Sequence, residues 1–398
     1  MLHRINVWEK LTGEDQPVGE MICEIATDGR SSGAFRYARA FLEKRDAFPL
    51  DPSSLPLRPE PFPVQQPGIH AIFEDSLPDD WGRKLLIRKH NIPLREQIPP
   101  HLLLALGCSG LGALSYTGQG KPGPPSADAP IVSLANLLVA AEMFERGEPV
   151  GPEFSLLFGA GSSPGGARPK ALVFDEQQQV HYLAKFPSIR DDVDVVRIEA
   201  ATMSLAAKAG LTVPTVRLRL VQNGRRMALL VKRFDVIPAG RRHMISLQTL
   251  LKAQGYYVFR YADVLGALRR YSADPLEDST RLFRQMVFNA VIGNTDDHLK
   301  NFWMLYAPGE GWRLSPAFDL VPDIGKRGEH VLIFDDGSLY PGRRKLGRLG
   351  SSWGISGAEH VVEEVFSAVS AWRTVYRDYG VEEQDISRFR EIDRNLVC

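Results

Sequence analysis

The sequence predicts an α+β fold in which strands are concentrated before about residue 240 and helices after it. Several short apolar runs bounded by turn residues have the length of buried strands. After residue 240 apolar positions recur at helical spacing, as in Pro275–Ile292, where Leu282 and Met286 share one face. Further on, Ser356 and Glu359 have the spacing of a capping box that would start a helix. The runs that predict strands are 171–174, 180–186, 216–221 and 228–234, with a helical pattern at 195–209.

Residues 1–117 form a separate mixed unit in this prediction. Alternating patterns at 5–8 and 19–25 predict a hairpin, and early acids before Trp81 predict a helix start. The Pro-rich stretch 49–68 predicts an extended connection. Because Gly and Pro dominate 118–126, we place a linker at 118–130. The rest of the chain divides into a strand-rich lobe at 131–237 and a helical lobe at 238–398.

The composition is that of a globular protein without a global charge. Lys plus Arg and Asp plus Glu both number 48, so no net field favours direct binding to nucleic acid or to an acidic membrane. Cys23, Cys108 and Cys398 are widely spaced, which argues against a disulfide framework or a zinc site and predicts a cytoplasmic location. The N-terminal residues run into an alternating strand, which predicts neither a signal peptide nor a membrane span.

The most informative residues are two carboxylates and a carboxamide. Asp296 precedes Asn301 by five residues, and Phe318 directly precedes Asp319. Protein kinases space their catalytic Asp and their two metal-binding residues in this way. An apolar hairpin at 302–314 would return Asp319 towards Asn301. Asp296 is therefore the predicted catalytic residue that orients an attacking hydroxyl, and Asn301 and Asp319 are the predicted ligands of Mg²⁺.

His298 and Lys300 lie within the same motif, and their roles stay open. His298 would brace Asp296 from beneath the loop and Lys300 would contact a phosphate, but purely structural roles fit both residues equally well. We carry both as candidate catalytic residues. An ordinary polar loop after a helix is the alternative for the whole segment, and it does not explain the joint occurrence of the spacing, the hairpin and the Phe-Asp pair.

A Gly-rich stretch at 159–170 predicts a phosphate-binding loop. Its small residues would let backbone N–H groups approach phosphate oxygens closely, although a flexible linker has the same composition. The stretch is neither a Walker loop nor a dinucleotide fingerprint. The candidate ATP-binding residues here are Ser163, Gly165, Gly166 and Lys170.

Three further residues are candidates for the nucleotide site. Lys185 lies in an apolar strand at 181–186, where a kinase carries its phosphate-binding Lys. Lys232 and Phe234 end the last strand before the helical half, where backbone amides and an aromatic ring would hold adenine; Phe234 fits the core equally well. Glu199 would orient Lys185 from a helix, or is a solvated helix acid.

Together these residues resemble the HipA family of bacterial serine/threonine kinase toxins. The hallmark of that family is a helix that ends in Thr-Asp-x-His-x-Lys-Asn-Phe, here 295–302, and 107–114 resembles its N-terminal subdomain. The resemblance implies a kinase-like two-lobed fold with a strand-rich N-lobe, an extra N-terminal subdomain and an all-α C-lobe. It implies ATP and Mg²⁺ as cofactors, Asp296 as catalytic base, Asn301 and Asp319 as metal ligands, and Lys185 as the ATP lysine.

The resemblance also implies a regulatory switch and partners. A serine of the Gly-rich loop is autophosphorylated in the family, which expels the loop from the ATP site. Ser163 occupies the matching position, and Ser162 is the alternative because Pro164 departs from the familiar pattern. The implied partner is a small helix-turn-helix antitoxin. The resemblance implies that this protein contacts DNA only indirectly, through that antitoxin. The implied target is a protein of the translation machinery, such as an aminoacyl-tRNA synthetase.

Two other functions stay open. The Asp-x-His-x-x-Asn arrangement is also similar to phosphatidylinositol kinases, so a lipid or small-molecule kinase is the enzyme alternative, although no basic amphipathic membrane face is evident. The other alternative is a non-catalytic module that binds nucleotide or an antitoxin. The presence of Asp296, Asn301, Asp319 and Lys185 argues against an inactive site.

Overall fold

A computed structural model describes residues 2–25, 31–64, 68–123, 134–148, 157, 168–222, 226–253, 259–325, 327–335 and 337–397. The chain forms two compact units, each of which is discontinuous in sequence. The first unit comprises Met1–Ile189, Lys232–Ile245 and Leu305–Glu310. The second comprises Arg190–Val231, Ser246–Met304 and Gly311–Cys398. The predicted domain boundaries stay a prediction, and residues 124–130 of the predicted linker lie outside the described residues.

Strands are frequent up to residue 246 and helices dominate after it, as the sequence predicted. The strands are β1 (Leu2–Glu9), β2 (Gln16–Ile25), β3 (Ser31–Tyr37), β4 (Phe62–Pro63), β5 (Leu114–Gly118), β6 (Lys170–Asp175), β7 (Val180–Lys185), β8 (Val216–Gln222), β9 (Arg226–Lys232), β10 (Val236–Ile237), β11 (Gly240–Arg241), β12 (His243–Ser246), β13 (Trp303–Ala307) and β14 (Gly311–Leu314). The α-helices are Arg39–Leu42, Ala71–Glu74, Asp80–Lys89, Pro99–Leu106, Leu134–Glu145, Val195–Lys208, Leu247–Leu250, Tyr261–Tyr271, Pro275–Ile292, Arg343–Ser352, Ala358–Val369, Trp372–Asp378, Glu383–Ile386 and Arg390–Val397.

The first unit contains an antiparallel sheet in the order β4-β3-β2-β1-β5. The predicted hairpin is confirmed, since β1 and β2 pair from Leu2 with Glu24 to Glu9 with Gln16. Alternate residues such as Ile5, Val7 and Phe35 are fully buried and form its core face. β6 and β7 form a second antiparallel hairpin in this unit.

The second unit is mainly helical and is built around the helix Pro275–Ile292. Every residue of this helix from Gln285 to Ile292 is buried, so its C-terminal half lies in the core of the unit. β8 and β9 form an antiparallel hairpin in the same unit, and the helix Val195–Lys208 precedes them. The predicted α+β class, the predicted strands and the helices predicted at 195–209 and 275–292 are confirmed.

The predicted capping box at Ser356 is wrong. The helix begins at Ala358, and its N-cap is Gly357, whose φ of 65° is left-handed and which offers no side-chain cap. Glycine adopts this conformation without a steric penalty, so the chain turns into the helix one residue later than the capping box requires.

A buried ion pair holds the chain that follows β9 in the first unit. Arg233 donates from Nη2 to Oδ2 of Asp235 at 2.6 Å and from Nε to Oδ1 at 3.0 Å. The backbone N–H of Gly112 donates to the same carboxylate at 2.8 Å. Burial opposes ionisation of this carboxyl, but the Arg233 guanidinium, the Arg241 charge and the Gly112 hydrogen bond together outweigh it and lower the pKa of Asp235 to about 2.

Asp235→Asn is expected to destabilise the protein by about 3–5 kcal/mol, because the variant removes the charge that Asp235 supplies to the buried Arg233 guanidinium. The pKa of an Asp in the unfolded chain is about 3.9, so this carboxylate stabilises the fold above that pH, and the stabilisation is lost as the pH falls towards 2. Urea denaturation of both proteins between pH 3 and pH 7 checks both statements. Equal free energies of unfolding at pH 7 would contradict the structural role of the pair.

Candidate active site

The predicted catalytic residue follows the end of the helix Pro275–Ile292. Gly293 ends this helix in a left-handed conformation with φ of 67°. Such a glycine turns the chain sharply away from the helix axis. Asp296 is the first exposed residue after that turn, and 62% of its side chain is accessible. Its carboxylate is therefore open to an incoming hydroxyl group.

Asn301 lies at the end of a short 3₁₀ turn, Leu299–Asn301, and is buried. Its Nδ2 donates to the carbonyl oxygen of Asp296 at 2.8 Å. Its backbone N–H donates to the carbonyl oxygen of His298, also at 2.8 Å. These two bonds fix the carboxamide directly against the backbone of the predicted catalytic residue. The remaining amide oxygen is of the type that Mg²⁺ prefers.

Asp319 is exposed and adopts a left-handed conformation with φ of 58°. The chain on both sides of it is hydrogen-bonded to residues that flank the catalytic segment, 294–302. The N–H of Ser315 donates to the carbonyl of Trp303 at 2.8 Å, and the N–H of Asp323 donates to the carbonyl of Gly293 at 2.8 Å. The hairpin β13–β14 thus returns the chain as predicted. A left-handed non-glycine residue costs free energy, and such residues are enriched at functional sites.

His298 and Lys300 lie on the same segment as Asp296. The backbone N–H of His298 donates to the Asp296 carbonyl at 2.9 Å, and its Nε2 is 4.0 Å from Asp296 Oδ2. Lys300 is half-buried, and its carbonyl accepts from the indole N–H of Trp303 at 2.7 Å. Their predicted roles remain predictions.

Arg327 is a charged neighbour that sequence reasoning missed. Its Nη1 donates to Oδ1 of Asp296 at 2.9 Å and to the carbonyl of Thr295 at 3.4 Å. Both charged side chains are largely exposed, so the pair contributes only about 0–1 kcal/mol to stability and is easily exchanged. No local pattern reveals this contact, because the two residues are 31 positions apart.

Asp297 is the second residue that was missed. Unlike its neighbour Asp296 it is buried, and its carboxylate accepts hydrogen bonds from Tyr261, His330 and the backbone of residues 331 and 332. Two adjacent Asp residues were visible in the motif, but nothing in the sequence distinguished the inward one from the outward one.

In the first unit, β6 and β7 bring two of the predicted phosphate-binding lysines together. Lys170 and Lys185 are directly opposite each other in the antiparallel pair, so both side chains lie on the same face of the hairpin. Phe174 and His181 lie on that face too, with ring centroids 4.5 Å apart. Lys170 is buried and Lys185 is half-buried, so the hairpin places two cationic side chains of the type that binds phosphate on one face.

The remaining nucleotide candidates are partly described. Lys232 is exposed, Phe234 is half-buried, and the backbone N–H of Arg233 between them donates to the His181 carbonyl at 2.9 Å. Glu199 is buried on the helix Val195–Lys208, so its interpretation as a solvated helix acid is wrong. The predictions for Ser162, Ser163, Gly165 and Gly166 lie outside the described residues.

The oxygen donors at the catalytic segment suit Mg²⁺. In the part of the chain that the structure describes, no group of three His, Cys, Asp or Glu residues forms a metal centre. Mg²⁺ does not need such a cage, since it is usually held by one or two protein oxygen ligands together with water and substrate phosphates. The Asn301 carboxamide and the exposed Asp319 carboxylate fit this mode of binding.

Among the helices of the described residues, none combines the length and the apolar character that crossing a membrane requires.

Comparison with known proteins identifies relatives over most of the chain. Residues 162–372 match the HipA-like C-terminal domain, and residues 14–117 match the HipA N-terminal domain. The proteins named "Putative kinase Y4mE" and "Putative kinase Y4dM" of Sinorhizobium fredii are each 28% identical to this chain. The first alignment covers 77% of this chain and 76% of the relative, and the second covers 75% and 73%.

A solved structure shares the fold. It is the complex of the toxin–antitoxin proteins HipA and HipB with operator DNA from Shewanella oneidensis MR-1. The match has a TM-score of 0.68 at 20% identity and covers 98% of this chain and 96% of the matched chain. This likeness confirms the expected fold class, and the C-terminal domain match alone spans more than half of the sequence. The chain therefore belongs to the HipA family.

Proposed function

We propose that this protein is an ATP-dependent protein serine/threonine kinase. The observation that carries the proposal is the catalytic segment, in which Asp296 exposes its carboxylate while the buried Asn301 carboxamide donates to the Asp296 backbone carbonyl. Asp319 has a left-handed backbone, and the chain on both sides of it is hydrogen-bonded to Gly293 and Trp303, which flank the same segment. The family membership and the names of the Sinorhizobium relatives support a kinase.

In the proposed mechanism the residues of the chain mainly position the reactants. Asp296 accepts a hydrogen bond from the acceptor hydroxyl and takes its proton as the oxygen attacks the γ-phosphorus of ATP. The bond between the γ-phosphorus and the bridging oxygen breaks, and ADP leaves with that electron pair. Lys170 and Lys185 bind phosphate oxygens, and Lys232 and Phe234 bind the adenosine end. Asn301 and Asp319 would hold Mg²⁺, which when bound would neutralise charge on the phosphates.

We further propose that phosphorylation of the Gly-rich loop switches the kinase off. A phosphoserine carries a charge of about −2 at neutral pH. At Ser163, or at the alternative Ser162, this charge would compete with the phosphates of ATP for the same cations. The loop would then be excluded from the nucleotide site.

Ser163→Ala is expected to abolish self-phosphorylation while ATP binding persists, because only the acceptor oxygen is removed. Peptide mass spectrometry after incubation with Mg²⁺ and ATP measures the modification, and calorimetric titration measures ATP binding. Ser162→Ala is the matched control and should retain the modification. If the phosphate persists in Ser163→Ala and disappears in Ser162→Ala, the acceptor is Ser162 instead.

The proposed biological role is that of the toxin in a toxin–antitoxin pair that acts in the cytoplasm. The likeness to a HipA protein that was solved with HipB and operator DNA supports a small helix-turn-helix antitoxin as partner, with DNA reached through it. The proposed substrate is a protein of the translation machinery, such as an aminoacyl-tRNA synthetase. A small helix-turn-helix protein encoded by an adjacent gene should co-purify with this protein. A failure of the two proteins to associate would count against the role as the toxin of a toxin–antitoxin pair.

A further inference from the structure

Asp297 is the centre of a buried network beneath the catalytic segment. Its Oδ2 accepts from the hydroxyl of Tyr261 at 2.6 Å and lies 2.9 Å from Nδ1 of His330. Its Oδ1 accepts from the backbone N–H groups of Val331 at 3.0 Å and Leu332 at 3.4 Å. A carboxylate that accepts several hydrogen bonds is a strong anchor, because each bond to a charged acceptor is stronger than a neutral one.

The same network reaches the start of the catalytic segment. Asn289 donates from Nδ2 to the Tyr261 hydroxyl oxygen at 3.1 Å, and Asn294 donates from Nδ2 to the Asn289 Oδ1 at 3.2 Å. The backbone N–H of Val331 also bonds to the carbonyl of Thr295 at 3.2 Å. Every side chain in this network is buried. The residues on both sides of Asp296 are therefore fixed from below, while the Asp296 side chain itself points to solvent.

The network also connects the segment to an independent helix. The N–H of Tyr261, the first residue of the helix Tyr261–Tyr271, donates to the carbonyl of Ile333 at 3.0 Å, and the N–H of Ile333 donates to the carbonyl of Phe259 at 3.0 Å. Burial, and then the Asp297 charge, raise the pKa of Tyr261, so its hydroxyl stays protonated and remains a donor. Asp297 is thus the acceptor on which the helix and the 330–333 segment converge.

We propose that Asp297 is a positioning residue for phosphotransfer, which acts by fixing the backbone of the segment that carries Asp296. This inference rests on the proposed kinase function. It assigns a purpose to the second Asp of the motif that differs from that of the first. Asp296 contacts the acceptor hydroxyl, and Asp297 fixes the backbone that places Asp296 in position for that contact.

Asp297→Asn tests this inference with little change in size. The amide nitrogen would face the Tyr261 hydroxyl, which already accepts from Asn289, so the Tyr261 proton would be left without an acceptor. Asp385→Asn is the matched control. Asp385 is also a buried carboxylate of the second unit that accepts a backbone N–H, from Asp194 at 3.0 Å, but it does not contact the catalytic segment.

Two measurements on the intact chain and its variants test the positioning role of Asp297. Hydrogen–deuterium exchange should show loss of protection at residues 294–302 in Asp297→Asn and wild-type protection there in Asp385→Asn. The rate of phosphate incorporation at saturating Mg²⁺ and ATP should fall about tenfold to a hundredfold in Asp297→Asn, with the KM for ATP unchanged, since a displacement of about 1 Å is enough for such a loss. Tyr261→Phe removes one donor and should show both effects to a smaller extent.

Wild-type protection of residues 294–302 in Asp297→Asn would overturn the inference, and so would a rate no lower than that of Asp385→Asn. A wild-type protein that transfers no phosphate would refute the proposed function instead. In that case the exchange measurement still shows whether Asp297 fixes the segment.

Discussion

Asp296→Asn is expected to lower the rate of phosphotransfer by about two to four orders of magnitude. The amide has nearly the same shape as the carboxylate but cannot take a proton from the attacking hydroxyl. The fold should be unaffected, because 62% of the Asp296 side chain is exposed and its ion pair with Arg327 is open to solvent. The initial rate of transfer from labelled ATP to the protein itself measures the effect.

The control for this variant is Glu329→Gln, which removes an exposed negative charge from the neighbouring 323–331 segment without contacting Asp296. It should retain the wild-type rate. A wild-type rate in Asp296→Asn would remove Asp296 from the mechanism. Similar losses in both variants would show that the local negative charge matters rather than the proton acceptor.

Asp319→Ala should have the second largest effect. The variant removes the proposed anionic ligand of Mg²⁺, and a bound metal ion supplies several kcal/mol of charge stabilisation in the transition state. About 3 kcal/mol corresponds to a rate loss of roughly a hundredfold. The concentration of Mg²⁺ needed for half-maximal activity should also rise. A titration of the initial rate with Mg²⁺ at fixed ATP measures both quantities.

Asp319→Asn separates the loss of the ligand charge from backbone strain. Ala disfavours the left-handed φ of 58° at this position, whereas Asn tolerates it. Asn should therefore keep the stability of the wild type but lose most of the activity. An unchanged Mg²⁺ dependence in both variants would show that Asp319 is not a metal ligand.

The parts of the site that the sequence predicted are those encoded within short stretches. The spacing from Asp296 to Asn301 follows from one short loop and turn, and the apolar hairpin after it is a local pattern of strand and turn residues. The strands β6 to β9 were predictable for the same reason, because each is an apolar run between turn residues. The resemblance of these motifs to a known family supplied the two-lobed fold and the expected roles of the site residues.

The parts that escaped prediction depend on contacts between distant residues. Arg327 meets Asp296 across 31 positions, and Asp297 meets Tyr261 across 36. Whether Asp297 points inward could not be read from the motif, since that depends on how the chain turns after Gly293. Glu199 is buried, and its burial likewise depends on what packs against its helix rather than on its own sequence.

The most direct test of the proposed function is intact-mass and peptide mass spectrometry of dephosphorylated wild type and Asp296→Asn after incubation with Mg²⁺ and ATP. We predict one added phosphate on Ser163, or on the alternative Ser162, in the wild type and none in the variant. This result requires no knowledge of the external substrate. If a wild type that starts unmodified and binds ATP gains no phosphate, the proposal of a self-regulated protein kinase is contradicted, and a lipid or small-molecule kinase or a nucleotide-binding module becomes the better account.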